Sequence, residues 1–155
     1  MLLSEFAIQD PSSGIVVEGQ QGLEMSWMAG KSIHPTSLLI HEEAVWLAVG
    51  SKKGNIHVTS LRFDQGKIHH SFKSCHESNV SVLERVNDVS MLSGSWDKRI
   101  KLWDLNSGLL VREFWEHSSQ VSSIKMHPNS SHNNVFMSTG IDGCCLLWVS
   151  RVTIE

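Results

Sequence analysis

One short pattern occurs twice in this chain, and its repetition restricts the possible folds more than any other feature. The stretch LSGSWDKRIKLWDLNSG occupies residues 92–108, and a weaker copy, MSTGIDGCCLLWVSR, follows at 137–151. Asp97 and Asp142 are 45 residues apart, and so are Trp103 and Trp148. A fixed period of roughly 20–50 residues is typical of proteins that stack one small structural unit many times.

The repeat continues upstream of both copies. HESNV at 76–80 and HSSQV at 117–121 each place a histidine four residues before a valine, and the two histidines are 41 residues apart. The later copy therefore carries four extra residues. They fall in the polar stretch HPNSSHNN at 127–134, which is typical of a loop.

A third, degraded copy precedes these two. Residues 36–61 align without a gap on residues 80–105. The apolar residues of the pattern are kept, but Lys53 stands at the position of Asp97 and Thr59 at that of Trp103. Each unit therefore needs the apolar pattern, whereas the polar residues can be lost.

Each copy predicts four short β-strands. In the middle copy they are Val80–Glu84, Ser90–Gly94, Ile100–Asp104 and Leu109–Phe114. Turn residues separate these strands, and no apolar period of 3.6 residues persists long enough to indicate a helix. Alternation in a strand places Ile100 and Leu102 on one face and Lys101 and Trp103 on the other. A sheet covered on both faces would accommodate that pattern.

Composition excludes several classes of function. The net charge of -3 gives no electrostatic reason to expect DNA or RNA as a direct ligand. No apolar run is long enough to span a membrane, and no signal peptide is recognised. The three cysteines are odd in number and form no CxxC pair, which favours reduced thiols in the cytosol or nucleus.

Four-stranded units repeating every 41–45 residues indicate an all-β propeller, and the residue pattern of these units resembles the WD40 repeat. The resemblance implies that a histidine, a hydroxyl, a carboxylate and a tryptophan form one hydrogen-bonded set in each blade. In the middle blade the set is His76, Ser93 or Ser95, Asp97 and Trp103. In the last blade it is His117, Ser138 or Thr139, Asp142 and Trp148. Such a set would satisfy buried polar groups that cost about 1–3 kcal/mol each when unpaired.

Catalysis and metal binding are the competing interpretations of these residues. His76, Ser95 and Asp97 have the residue types of a hydrolase triad, but the same set recurs 41–45 residues later and no G-x-S-x-G elbow is present. The sequence contains no H-x₃-H or C-x₂-C pair that would indicate a zinc site, and SGSWDKR lacks the spacing of a phosphate loop. We therefore expect no catalytic residues, no metal and no cofactor.

The expected architecture is a partial WD40 propeller of about three four-stranded antiparallel blades. The predicted units are an N-terminal segment (1–19), a degenerate blade (20–73), a WD blade (74–115) and a last blade (116–155) that is incomplete at its C-terminus. Closed propellers need at least four blades. The chain is therefore expected to be a fragment or to be completed by another chain, with GIVVEG (14–19) a candidate for the missing strand of the last blade.

A second resemblance is narrower. The stretch AVWLAVGSKKGNIHVTSLRFDQGKIHHSFKSCHESNVSVL, continued by SGSWDKRIKLWDLNSG and HSSQVSSI, is similar to the SPT-class WD40 subunit of the fungal SAGA transcriptional coactivator. This resemblance implies a nuclear, non-catalytic subunit that acts in transcription regulation and engages other SAGA subunits and the TATA-binding protein. The alternative is a WD40 adaptor, such as the substrate receptor of a ubiquitin ligase or a subunit of another multiprotein complex.

The candidate partner-binding residues lie in loops at one end of the predicted sheets. They are Trp96, Lys98, Arg99 and Trp115. Tryptophan beside arginine is the composition of protein interface hot spots. The alternative is that both indoles pack on further blades. A basic rim of Lys52, Lys53 and Arg62 on the degenerate blade is a second candidate, for which a solvated surface is the alternative.

Overall fold

The computed structural model of the chain describes residues 15–19, 22–26, 34–41, 46–60, 68–128 and 135–149. These described residues form antiparallel β-sheets and contain no helix that could cross a membrane. The predicted all-β class and the partial propeller are thereby confirmed. Arg62 lies outside the described residues.

Three sheets follow one another along the chain. The first sheet contains β3 (Pro35–His41), β4 (Trp46–Ser51), β5 (Ile56–Ser60) and β6 (Ile68–Phe72). The middle sheet contains β7 (Val80–Asn87), β8 (Ser90–Ser95), β9 (Ile100–Asp104) and β10 (Leu109–Phe114). The last sheet contains β11 (Val121–Met126), β12 (Val135–Gly140) and β13 (Cys145–Val149). In each sheet every strand pairs with the next one in sequence, which is the meander predicted from the turn residues.

The N-terminal strands differ from the expectation. β1 (Ile15–Gly19) and β2 (Gly22–Ser26) pair with each other, from Ile15 with Ser26 to Gly19 with Gly22. Among the described residues, β2 is therefore not a strand of the first sheet. The first blade was predicted to span residues 20–73, but the observed sheet begins with β3. Likewise, β1 does not complete the last sheet. Only two residues separate β1 from β2, and closing so short a loop has a small entropic cost.

The middle sheet is covered on both faces. Met91 and Trp103 pack in one apolar core with residues of the first sheet, including Ala48 and Val58. On the opposite face a second core joins the middle and last sheets, and it contains Leu92, Ile100, Leu102, Phe114, Val121, Ile124, Phe136 and Trp148. The predicted division of β9, with Trp103 on one face and Ile100 on the other, is confirmed.

Close approach between sheets depends on two glycines that align in the repeat. A Cβ atom at Gly50 would lie 2.7 Å from Cγ1 of Val80, and one at Gly94 would lie 2.8 Å from Cγ1 of Val121. These valines begin the first strands of the middle and last sheets. The missing side chains therefore let each sheet lie directly against the first strand of the next.

Candidate functional site

The middle sheet holds a continuous hydrogen-bonded set of four side chains. Nδ1 of His76 lies 2.8 Å from Oδ2 of Asp97, and Nε2 of His76 lies 2.7 Å from Oγ of Ser93. The indole Nε1–H of Trp103 donates to the same Ser93 oxygen at 2.8 Å. The loop after β6 supplies His76. Ser93 on β8 and Trp103 on β9 lie on the same face of the sheet, and Asp97 lies in the turn between these two strands. The structure thus brings together four residues from two strands, the turn between them and a preceding loop.

The chemistry of the four groups determines which one donates and which one accepts in each hydrogen bond of this set. A carboxylate only accepts, so Nδ1–H of His76 donates to Asp97. Nε2 can then accept from the hydroxyl of Ser93, whose oxygen accepts from the indole N–H of Trp103. Both ring nitrogens and the indole N–H are therefore satisfied in a part of the sheet from which water is excluded.

The last sheet repeats this geometry. Nδ1 of His117 lies 2.9 Å from Oδ2 of Asp142, and its Nε2 lies 2.7 Å from Oγ of Ser138. Nε1–H of Trp148 donates to Ser138 at 2.7 Å. Of the two hydroxyls that the sequence left open, Ser138 joins the set, whereas the Thr139 hydroxyl contacts that of Ser122.

Ser95 lies outside the set of the middle sheet. Its Oγ accepts from the backbone N–H of Asp97 at 3.1 Å and so closes the β8–β9 turn. Ser93 and Ser95 share a face of β8, but only Ser93 lies at the depth that the His76 ring reaches. The alternative assignment to Ser95 does not hold in this geometry.

Cys75 directly precedes the loop histidine, and its side chain is bonded within the structure. Its thiol donates to the carbonyl of Gly54 at 2.9 Å, and the ammonium of Lys101 donates to the carbonyl of Cys75 at 2.6 Å. Burial raises the pKa of the Cys75 thiol to about 12. The thiol therefore stays protonated and tethers the loop to the first sheet.

The set has the connectivity of a hydrolase triad, but its environment excludes nucleophilic attack. Ser93 is 0% exposed, so no substrate can reach its hydroxyl oxygen. That oxygen also accepts the indole N–H of Trp103, which withdraws electron density from it. The geometry fits a structural bond network and gives no position for an acyl group.

Both turn carboxylates are held in the ionised form. Burial alone would raise the pKa of Asp97, but the hydrogen bond from His76, with those from the backbone N–H groups of Glu77 and Arg99, lowers it to about 2. The hydrogen bond from His117, together with those from the backbone of Cys144 and Ser118, lowers the pKa of Asp142 to about 2 against the opposing effect of burial. Each carboxylate thereby ties a loop to a turn.

The lowered pKa of Asp97 predicts a loss of stability in acid. Because the pKa in the folded state lies below the ordinary value of 3.8, the unfolded chain binds the proton first as the pH falls. The contribution of Asp97, about 2 kcal/mol, is complete above about pH 4 and should disappear as the pH falls to about 2. Urea unfolding of the parent chain and of Asp97→Asn across this range measures it. The stability difference between the two should shrink in acid, and a difference independent of pH would contradict the assignment.

The candidate partner-binding residues lie together in two adjoining loops. Trp96 is 46% exposed in the β8–β9 turn, and Trp115 is 66% exposed between β10 and β11. The guanidinium of Arg99 lies 5.6 Å from the centre of the Trp115 ring, and its Nε lies 3.5 Å from a carboxylate oxygen of Glu113. Lys98 is exposed in the same turn. We call Trp96, Lys98, Arg99 and Trp115 the tryptophan patch.

Sequence reasoning missed a set of hydroxyls that join the sheets. Oγ of Ser37 donates to the carbonyl of Val80 at 3.0 Å, and Oγ of Ser81 donates to that of Val121 at 2.5 Å. Both bonds run from one sheet to the first strand of the next. Ser37, Ser81 and Ser122 are separated by 44 and 41 residues, which is the spacing of the recognised repeat, so the self-alignment contained this signal.

A family model described as SPT8 beta propeller matches residues 22–133 of the chain. SAGA complex subunit SPT8 of Saccharomyces cerevisiae is 38% identical over 96 residues, which are 59% of this chain and 16% of that protein. SAGA complex subunit Spt8 of Schizosaccharomyces pombe is 35% identical over 98 residues, 63% of this chain and 18% of that protein. The guanine nucleotide-binding protein subunit beta of S. cerevisiae is 26% identical over 147 residues, 93% of this chain and 33% of that protein. The chain thus spans less than a fifth of the two SAGA subunits it matches.

Proposed function

Since this chain belongs to the SPT8 β-propeller family, we propose that it is a non-catalytic scaffold, a WD40 subunit of the SAGA coactivator that holds other proteins at its loops. The observation that carries the proposal is the family match over residues 22–133, which includes both complete four-stranded sheets. The two buried bond sets support a rigid framework, because each pins a loop to a turn at one end of a sheet.

The proposed partners are other SAGA subunits and the TATA-binding protein, and the proposed location is the nucleus. Two relatives that are 38% and 35% identical support this assignment, since both are named as SAGA complex subunits. The proposed lack of catalysis is supported by the burial of the only triad-like groups found among the described residues, whose serines are inaccessible.

The tryptophan patch is the proposed contact surface. Large aromatic side chains and arginine supply most of the binding energy at protein interfaces, whereas in a monomer they are seldom left exposed side by side. The stacking of Arg99 on Trp115 holds both side chains in place, so less conformational entropy is lost when a partner binds.

Purification of the tagged full chain from nuclear extract, followed by mass spectrometry, tests the proposed complex. Recovery of SAGA subunits and the TATA-binding protein is expected. Recovery of ubiquitin-ligase components in their place would favour the adaptor alternative, which the 30% identity to E3 ubiquitin-protein ligase COP1 of Arabidopsis thaliana over 87 residues makes worth testing.

Trp96→Ala is expected to weaken binding of the purified partner by more than about 2 kcal/mol, or about 30-fold, because the indole is a central anchor of the patch. Its melting temperature should stay close to that of the parent, because the side chain is half exposed. Calorimetric titration and thermal melting measure the two effects. Leu109→Ala, at an apolar side chain that is 65% exposed on β10, is the matched control and should bind normally. Equal losses of stability and binding in Trp96→Ala would contradict the proposal.

A further inference from the structure

The first sheet carries lysines where the other sheets carry apolar or acidic side chains. Lys52 aligns in the repeat with Trp96 and Ile141, and Lys53 aligns with Asp97 and Asp142. Both lysines are exposed in the turn between β4 and β5. The loss of the carboxylate at this position thus coincides with two cations presented at the surface.

Contacts between loops place these lysines beside the tryptophan patch. The loop at 73–79 hydrogen-bonds to the β4–β5 turn, through His76 N to Gly54 O at 3.1 Å and through Ser74 N to the Asn55 side chain at 2.7 Å. The other end of the loop accepts the backbone N–H of Trp96 at Asn79 O, at 2.9 Å. Lys52 and Lys53 on one side and Lys98 on the other therefore flank a loop that begins with the exposed Lys73.

We call Lys52, Lys53, Lys73 and Lys98 the lysine cluster. None of the four makes an ion pair with another residue in the part of the chain that the structure describes. By contrast, Arg99 and Lys101 both lie 3.5 Å from Glu113, and Lys125 pairs with Glu84 at 2.9 Å. Burial and, to a lesser extent, the charge of Lys73 lower the pKa of His57. A chain with a net charge of -3 thus places at one end four lysines that have no ion pair among its described residues.

The backbone of Lys98 gives an independent indication of function. Its φ is 76°, and the aligned residues of the other two turns, Gly54 and Gly143, have the same φ of 76°. Only glycine adopts this left-handed conformation without a steric penalty. Strained residues of this kind cluster at binding sites, so a lysine kept where both related turns use glycine points to a role for its side chain.

We propose that the lysine cluster binds an acidic segment of a partner protein, with Trp96 receiving an apolar side chain of that segment. The inference rests on the proposed scaffold function, because it assigns a chemical class to the partner held at this end of the molecule. The flexible ammonium groups suit the irregular spacing of carboxylates in an extended acidic segment. The exposed indole between them suits the apolar side chains that interrupt such segments.

A protein segment fits the cluster better than a nucleic acid does. Nucleic-acid surfaces are broadly basic and track many successive phosphates. Here the basic surface consists of four lysines, Glu77 and Glu116 are also exposed, and the chain as a whole is acidic. A basic surface of four lysines is too small to follow many successive phosphates, whereas a short acidic segment needs only a few cations.

Fluorescence anisotropy of a labelled peptide with the repeating sequence Asp-Asp-Glu-Leu tests the proposal on the full chain. Replacing all four lysines by Ser should weaken binding about tenfold at physiological salt, and added salt should weaken binding by the parent. Lys98→Gly should weaken it about two- to threefold while raising the melting temperature by about 2 °C, because it removes both a charge and the backbone strain. This last variant keeps the test decisive if the fourfold variant does not fold.

Lys125→Ser is the matched control, since it removes one exposed positive charge from β11 and should leave peptide affinity unchanged. Absence of peptide binding by the folded parent, or equal losses in Lys125→Ser and Lys98→Gly, would overturn the proposal. Tighter binding of a single-stranded DNA of equal charge, lost in the same lysine variants, would overturn it in favour of a nucleic acid. If the peptide does not bind but Trp96→Ala still weakens partner binding, only this inference fails. If the peptide binds but SAGA subunits are not recovered, the proposed function fails.

Discussion

Ser93→Ala is expected to lower the free energy of unfolding by about 3–5 kcal/mol, because one hydroxyl serves two buried partners. Removing it leaves Nε2 of His76 and the indole N–H of Trp103 without their bonds at 2.7 Å and 2.8 Å. Each buried polar group left unpaired costs about 1–3 kcal/mol. Urea unfolding at neutral pH measures the loss, which should also lower the melting temperature by about 10 °C.

Ser95→Ala provides the matched control two residues further along the same strand. Ser95 is equally buried, but its Oγ makes a single hydrogen bond, from the backbone N–H of Asp97. Its loss should cost about 1 kcal/mol. Equal effects of the two substitutions would contradict the central place of Ser93 in the set, whereas Ser138→Ala should reproduce the larger effect in the last sheet.

Gly54→Ala is expected to destabilise the chain by about 3 kcal/mol for two separable reasons. Its φ of 76° strains any residue with a Cβ atom, at a cost of about 1 kcal/mol. The added Cβ would also lie 2.0 Å from the backbone oxygen of His76, so the loop that delivers the histidine would have to move. Overpacking of this kind costs about 1–3 kcal/mol more. Chemical unfolding of the variant and the parent measures the sum.

Gly143→Ala isolates the first of these two costs. Gly143 has the same φ of 76°, yet a Cβ atom there would meet no atom within 4 Å. We expect a loss of about 1 kcal/mol from backbone strain alone. If Gly54→Ala is no more harmful than Gly143→Ala, the contact between the β4–β5 turn and the His76 loop does not support the fold as described.

The repeat could be predicted from the sequence because strand alternation and turns depend on residues that are close together in the chain. Strand alternation separated Trp103 from Ile100 on β9, and turn residues marked the ends of the four strands of the middle sheet. The structure extends two of these strands, β7 to Asn87 and β8 to Ser95. Strand ends depend on pairing with neighbours, so residue preferences alone do not locate them.

Features that depend on contacts between distant parts of the chain could not be predicted in this way. Ser93 and Ser95 lie on one face of a strand, and only the depth reached by the His76 loop distinguishes them. The left-handed φ of Lys98 is not indicated by lysine itself, and only its alignment with Gly54 and Gly143 in the repeat pointed to it. The pairing of β1 with β2 was also missed, because an apolar run such as GIVVEG does not specify its partner strand.

The sequence by itself determined the all-β class, the period of the sheets and the residue types that hydrogen-bond to one another inside them. These follow from near-neighbour rules: alternation along a strand, turn chemistry, and the need to pair every buried donor. The tertiary structure alone decided which hydroxyl completes each set, which indoles remain exposed and which lysines stand together at one end. Those outcomes depend on distances between residues that are remote in the chain, and such distances are set only when the sheets pack against one another.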